Sequence, residues 1–353
     1  MKKKSLIVSS VVLSFVLAAG SQAQEFNPPS PDATLASPFA YAESQKKAEH
    51  AKEVAASDSG SKVIGGEVSR EGAWPWQVAL VIGGQNPSPD SQFCGGSMIL
   101  DNWVLTAAHC IHMADDQGVY RDIHPSRFAV VAGTNKLDGG SGDMIPVEAV
   151  FRHPSYDGNE FDHDVALIKL QRAPRVRYET IKVPDAEFGD ILERPGVTTI
   201  VTGWGLTEGG NHPDRLHETQ IQMLDRDMCN SMLLEARATE AVKGFGFAAQ
   251  VLGMNTATAQ SAWEEFIRHV RDPLTANMIC SGSLAGGKTS CQGDSGGPLV
   301  VPLNDGSYIQ AGIVSWGLSS GNGKTCAEDA IFSAYTRTAN YVDWLNQTIQ
   351  SND

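Results

Sequence analysis

The sequence predicts an all-β protein, a sandwich or barrel, with helix confined to two stretches. From Trp76 onward, short β-rich runs separated by Gly, Pro, Asn and Asp turns recur at Gln77–Ile82, Ser97–Leu105, Phe128–Ala132, Ile145–Arg152, Val165–Leu170, Thr198–Trp204, Pro298–Leu303 and Tyr308–Trp316. Helical spacing of apolar residues occurs at Ala259, Ala262, Trp263, Phe266, Ile267 and Val270, and again at Tyr341, Val342, Leu345 and Ile349 within Thr338–Gln350. With 353 residues, 41% of them hydrophobic, the chain can fill one large or two ordinary domains.

The N-terminus stands apart from these elements. Lys2 to Lys4, an apolar run from Leu6 to Ala19 and Ser21-Gln-Ala23 together read as a secretory signal over residues 1–23. The run is short for a membrane span and ends in small residues, so no membrane anchor is expected in the mature form. Residues 24–62 open with Phe26-Asn-Pro-Pro-Ser-Pro31 and then become alanine-rich and charged without a sustained apolar period, the composition of a pro-segment. The folded domain is expected over 63–353.

Charge and cysteines narrow the class. The net charge is −14, and residues 1–62 hold seven lysines against six acids, which leaves −15 on the remainder. Such an acidic body argues against nucleic acid or anionic membranes as partners. Six cysteines in an exported chain imply three disulfides and an oxidising compartment, extracellular or periplasmic, with fifteen pairings open. The absence of any Cys-x-x-Cys speaks against a zinc site.

Chemistry concentrates in Cys291-Gln-Gly-Asp-Ser-Gly-Gly-Pro-Leu299, with Ser295 as candidate nucleophile. Glycine at 293, 296 and 297 lets the backbone bend and a substrate carbonyl approach, so the N–H groups of Gly293 and Ser295 are the candidate oxyanion donors. Taken alone, the stretch also fits the G-x-S-x-G elbow of an α/β-hydrolase. That fold needs a histidine after the serine, and the last histidine is His269. Upstream lie Leu105-Thr-Ala-Ala-His109-Cys110 and Asp162-His-Asp164-Val-Ala-Leu-Ile-Lys-Leu170, giving the order His, Asp, Ser, whereas a subtilisin-like chain places its aspartate first. His109 is then the candidate general base and Asp164 its orienting carboxylate. His112, His153 and His163 form no metal-site spacing and read as surface residues.

The segments TAAHC, DVALIKL and CQGDSGGPL, together with Ser315-Trp316-Gly317, resemble the trypsin/chymotrypsin family of serine endopeptidases over about Val63 to Gln350. The resemblance implies two six-stranded antiparallel β-barrels with the active site between them, a crossover near 174–184, and a C-terminal helix packed on the second barrel. It implies the pairings Cys94–Cys110, Cys229–Cys280 and Cys291–Cys326. The stretch between Cys229 and Cys280 is long for the family. Its insertion, residues 231–272, is partly helical and either packs on the barrel or forms a lid or exosite.

The resemblance extends to activation and specificity. Ser61-Lys62-Val63-Ile64-Gly65-Gly66 is similar to the family's activation site, where a cut after Lys62 frees a Val63 ammonium to neutralise a buried Asp294. Substrate contacts are implied for Thr289, Ser290, Gln292, Ser315, Trp316, Gly317, Ser333 and Phe161, with Ser315-Trp316-Gly317 pairing to the peptide backbone as an added strand. Thr289 stands where trypsin-like members carry aspartate, so a preference for aromatic or large apolar P1 residues is expected. Glu328 and Asp329 keep cleavage after Lys or Arg open as the alternative. A pocket that rejects lysine further implies a separate activating protease. The expectation is a secreted, monomeric zymogen acting on protein or peptide substrates, with no cofactor. No metal is expected either, since the family's calcium loop would fall at Leu137–Asp143, which has only two carboxylates. An inert homologue serving as a binding module is the alternative, and the intact residue set argues against it.

Overall fold

The computed structural model of the chain describes residues 66–115, 118–207, 211–285, 287–291, 293–317 and 332–353. The expected signal, the pro-segment and the Lys62–Val63 cut lie outside these residues. After a two-residue strand β1 (Glu67–Val68) come β2 (Gln77–Ile82), β3 (Gln92–Leu100), β4 (Trp103–Thr106), a small hairpin of β5 (His112–Ala114) and β6 (Tyr120–Asp122), then β7 (Phe128–Ala132), β8 (Asp143–Arg152) and β9 (Ala166–Leu170). The order β2-β3-β4-β9-β8-β7 closes into an antiparallel barrel. Its centre is filled by fully buried Leu80, Met98, Leu105, Val130, Ile145 and Leu167. The expected single strand Ser97–Leu105 is two strands, because Asp101-Asn102 turns the chain back and sets Ser97 opposite Leu105.

The second half comprises α1 (Ala186–Leu192), β10 (Thr198–Gly203), β11 (His217–Met223), α2 (Arg226–Val251), α3 (Thr256–Arg268), β12 (Met278–Gly282), β13 (Pro298–Pro302), β14 (Tyr308–Gly317), β15 (Phe332–Arg337) and α4 (Val342–Asn352). The order β11-β10-β13-β14-β15-β12 is closed by β11–β12 pairing into a second six-stranded antiparallel barrel, with β1 added outside β11. Residues 171–185 join the barrels: Glu179 N and Ile181 N donate to Pro75 O and Met98 O of the first, and Lys182 O accepts from Gln310 N of the second. Two buried polar pairs cross the same seam, Ser97 Oγ to Gln310 Oε1 at 2.5 Å and Thr202 Oγ1 to Gln77 Oε1 at 2.6 Å. Each satisfies groups that burial would otherwise leave without partners.

Two expectations change here. A short 3₁₀ turn, Thr338–Tyr341, carries the chain off β15, and α4 then packs on the first barrel rather than the second. Tyr341 and Leu345 join the first barrel's core cluster, Trp344 meets the His153 ring, and Asp353 Oδ1 accepts from Trp103 Nε1 at 2.9 Å. The insertion holds two helices where periodicity shows one. Asp225 caps α2 by accepting from Met228 N, and Asn255 caps α3 by accepting from Thr258 N. Among the described side chains of α2 only Ala249 is buried after Leu233, so no apolar stripe betrays the helix in the sequence. Part of the α3 stripe packs on α2, with Trp263 5.3 Å from Phe245.

Candidate active site

His109 sits in a three-residue 3₁₀ turn at the end of β4, over the small buried residues Ala107 and Ala108. A disulfide from the adjacent Cys110 to Cys94 on β3 pins this turn to the barrel wall. Those two sulfurs are therefore bonded to each other and offer no thiolate to a metal beside His109. Asp164, fully buried just before β9, grips the turn twice: Oδ1 accepts from His109 N at 2.9 Å and Oδ2 from His109 Nδ1 at 2.8 Å. A Nδ1–H donor leaves Nε2 as the free base of the imidazole, facing out of the carboxylate's reach.

The second barrel completes the carboxylate's partners. Ser315 Oγ donates to Asp164 Oδ2 at 2.5 Å, and Thr336 Oγ1 to the Asp164 carbonyl at 2.7 Å. Ser315 falls at a register shift between Val314 and Trp316 in the β14–β15 ladder, an irregularity that re-aims a side chain. Three donors to one carboxylate fix its position and hold the imidazole in one orientation.

Ser295 rides on a loop clamped between the barrels. Its carbonyl accepts from Gly95 N at 2.7 Å, and Gly296 N donates to Val314 O at 2.8 Å. A Cβ on Gly296 would lie 2.2 Å from Thr106 Oγ1 and 3.1 Å from Cys110 Sγ, so only glycine lets the loop come this close to the histidine's turn. Among the described residues no hydrogen bond joins Ser295 Oγ to His109 Nε2, and that nitrogen lies 3.8 Å from the disulfide sulfur of Cys110. The histidine–carboxylate link is thus formed.

Asp294, beside the serine, is 2% exposed and accepts only from Gly205 N at 2.8 Å and Cys291 N at 2.7 Å. Among the described residues no cation pairs with it. Burial pushes its carboxyl up to about 6 against those two amide bonds. Its niche requires glycine, since a Cβ on Gly203 would sit 2.0 Å from Asp294 Oδ1 and one on Gly205 2.5 Å from its Cγ. Gly293, at φ 97°, has its carbonyl held by Gln92 Nε2 at 2.7 Å.

Of the residues expected to contact substrate, Thr289, Ser290, Ser333 and Gly317 are small and uncharged. Thr289 and Ser333 are each 1% exposed and share a 2.6 Å hydroxyl hydrogen bond, with Ser290 buried alongside and Gly317 facing Ser333. Phe161 presents its ring edge-on to His109 at 5.8 Å. Trp316 is half-buried on β14. Cys229–Cys280 is formed, tying α2 to β12, and Cys291 is disulfide-bonded. Its expected partner Cys326, together with Gln292, Glu328 and Asp329, lies outside the described residues.

The histidines read as surface residues have partners. His153 and His163 stack at 4.8 Å, and His112 bonds Asp122 at 2.6 Å. Sequence reasoning missed Gln92, Gly203, Gly205 and Thr336. A buried glutamine opening an apolar strand and the Gly203-Trp-Gly205 pattern are the signals that mark the first three; Thr336 has none, since its contact is to backbone 172 residues away.

Comparison with known proteins converges on one family. The model described as Trypsin matches residues 63–345. Among curated relatives, an anionic trypsin from Canis lupus familiaris is 34% identical over 302 residues, covering 84% of this chain and 92% of the relative. A cationic trypsin-3 from Rattus norvegicus is 31% identical over 301 residues with the same coverage, and a trypsin from Sus scrofa is 31% identical, covering 84% of this chain and 99% of that protein.

Proposed function

The chain belongs to the trypsin family of serine endopeptidases, and on that premise we propose that His109, Asp164 and Ser295 are its catalytic triad and that cleavage after Lys62 switches it on. The observation that carries the triad is the 2.8 Å bond from His109 Nδ1 to a fully buried Asp164. Ser295 Oγ attacks the scissile carbonyl while His109 Nε2 takes its proton, and the amides of Gly293 and Ser295 hold the oxyanion. His109 then gives that proton to the leaving amine, and water hydrolyses the acyl-enzyme by the same route in reverse roles.

The switch rests on Asp294. A buried carboxylate with two amide donors and no cation among the described residues is an incomplete ion pair. A Val63 ammonium supplies the missing charge, and the family match beginning at residue 63 supports that boundary. In the uncut chain this nitrogen is a neutral amide. The protein is then a secreted zymogen, in keeping with its relatives' family, with residues 1–23 as signal and 24–62 as pro-segment.

The relatives are named trypsins, but the pocket floor favours another P1 class. Thr289 and Ser333 bond to each other and bring no carboxylate, so among the described residues a lysine or arginine side chain there would meet no counter-charge. Aromatic or large apolar P1 residues fit, and activation at Lys62 then falls to a separate protease acting after basic residues. The deciding experiment treats the chain with trypsin, labels it with a fluorophosphonate, and profiles a peptide library. The expected result is a label on Ser295 only after the cut and a library dominated by Phe, Tyr or Leu at P1. An unlabelled cut chain would make it a binding module; a Lys/Arg profile would overturn the pocket assignment alone.

A further inference from the structure

Asp162 lies between Phe161 and His163, the only non-glycine residues with positive φ among those described, both at 53°. L-residues stay in that region only where their surroundings enforce it. Here the enforcing contacts converge on one carboxylate. Asp162 Oδ1 accepts from Thr275 Oγ1 at 2.8 Å, from Asn277 Nδ2 at 3.0 Å and from His163 N at 3.0 Å, while its carbonyl accepts from Asp157 N at 3.0 Å. Burial opposes the charge, but the bonds from Asn277 and Thr275 hold the carboxyl below its ordinary value.

The donors are themselves fixed from outside the first barrel. Asn277 O accepts from Arg337 N at 2.8 Å, and Asn277 Oδ1 from Asn340 Nδ2 at 2.9 Å. Thr275 and Asn277 belong to the return of the insertion, anchored at Leu274 N by Asn230 Oδ1 of α2 at 2.8 Å. On the other side of Asp162 stands the Phe161 ring, edge-on to His109, and two residues on comes Asp164.

We propose that Asp162 is a positioning residue: gripped by Thr275 and Asn277, it holds the 161–163 turn in its left-handed form and so sets Phe161 beside His109 as a wall for the substrate side chain preceding the scissile residue. The proposal rests on the triad reading above. It also gives the insertion a route to the cleft that runs through its C-terminal return and not through its helices.

The test uses the chain cut after Lys62, active sites counted with a fluorophosphonate, and two peptides with Tyr at P1 that differ only in Gly or Leu at P2. Asp162→Ala should lower kcat/KM for the Leu peptide about 10-fold, mostly through KM, and bring the Leu-to-Gly ratio towards one. Asp162→Asn should keep both, since an amide oxygen accepts the same bonds. Thr275→Val, which leaves the turn's own residues intact, should give a smaller loss in the same direction. A lower Tm with an unchanged per-site ratio in both Asp162→Ala and Thr275→Val would make the contact merely structural and overturn the proposal. Hydrogen exchange of residues 157–164 in a Ser295→Ala background reads the clamp without catalysis: faster exchange in Asp162→Ala supports it, and unchanged exchange overturns it whatever the triad does. A parent chain that takes no label and cleaves neither peptide would remove the triad reading first, and this one with it.

Discussion

Two aspartates are buried within reach of the catalytic loops, and the fold treats them oppositely. Asp164 receives His109 N, His109 Nδ1 and Ser315 Oγ, drawn from both barrels, so its hydrogen bonds are complete when the barrels close. Asp294 receives two backbone amides, and no cation among the described residues joins them, with its carboxyl pushed up to about 6 by burial. One carboxylate has side-chain and backbone donors from both barrels, and the other has backbone amides alone among the described residues. On the proposed reading, the difference would hold the His109 imidazole in place before activation and leave the loop around Asp294 as the part still to be set.

Removing the first carboxylate should do the most damage. Asp164→Asn keeps an acceptor for His109 N but turns an amide NH₂ toward Nδ1, which favours the wrong tautomer; kcat should fall roughly 10⁴-fold, the loss typical of this change in the family's triad, with Tm nearly unchanged. Steady-state kinetics with thermal melts check this, and a loss under tenfold would mean the carboxylate merely supports the turn.

Removing the second should cost less. In the cut chain, Asp294→Asn should lower kcat/KM by about 10²-fold, comparable to losing one oxyanion donor, while Val63→Gly should produce a partial loss of the same kind. If both variants match the parent, the ammonium is not the missing partner.

The smallest effect is in stability and has a definite sign. The Asp294 carboxyl titrates near 3.8 when exposed and at about 6 in the uncut fold, so between those values the native state holds the extra proton. Stability of the uncut chain should therefore fall as pH rises from about 4 to about 6, by up to about 3 kcal/mol. Urea titrations of the Ser295→Ala chain across that range should show the slope, and Asp294→Asn should flatten it. Cutting after Lys62 should flatten or reverse it, because a paired ammonium favours the carboxylate.

Much of the site was legible because its chemistry is local in sequence. The order His109, Asp164, Ser295 discriminated between three folds that share a catalytic serine, and the glycines around Ser295 announced a close backbone approach. The strand alternation was legible wherever one face is buried, as in Gln77–Ile82. It failed at Ser97–Leu105, where a two-residue turn is hidden inside an apolar run, and at α2, whose side chains are too exposed to leave a stripe.

The sequence by itself determined which groups are present, in what order, and which backbone points can bend: Ser295, His109 and Asp164 as candidate reacting groups, and the glycines that flank the serine. Only the tertiary structure decided most of the partners those groups meet, since Thr336 reaches the Asp164 carbonyl across 172 residues, Thr275 reaches Asp162 across 113, and α4 crosses to the first barrel. Residue type and spacing act through nearby backbone geometry, whereas contacts between distant segments depend on how two closed barrels pack and on the irregularity in β14 that turns Ser315 inward.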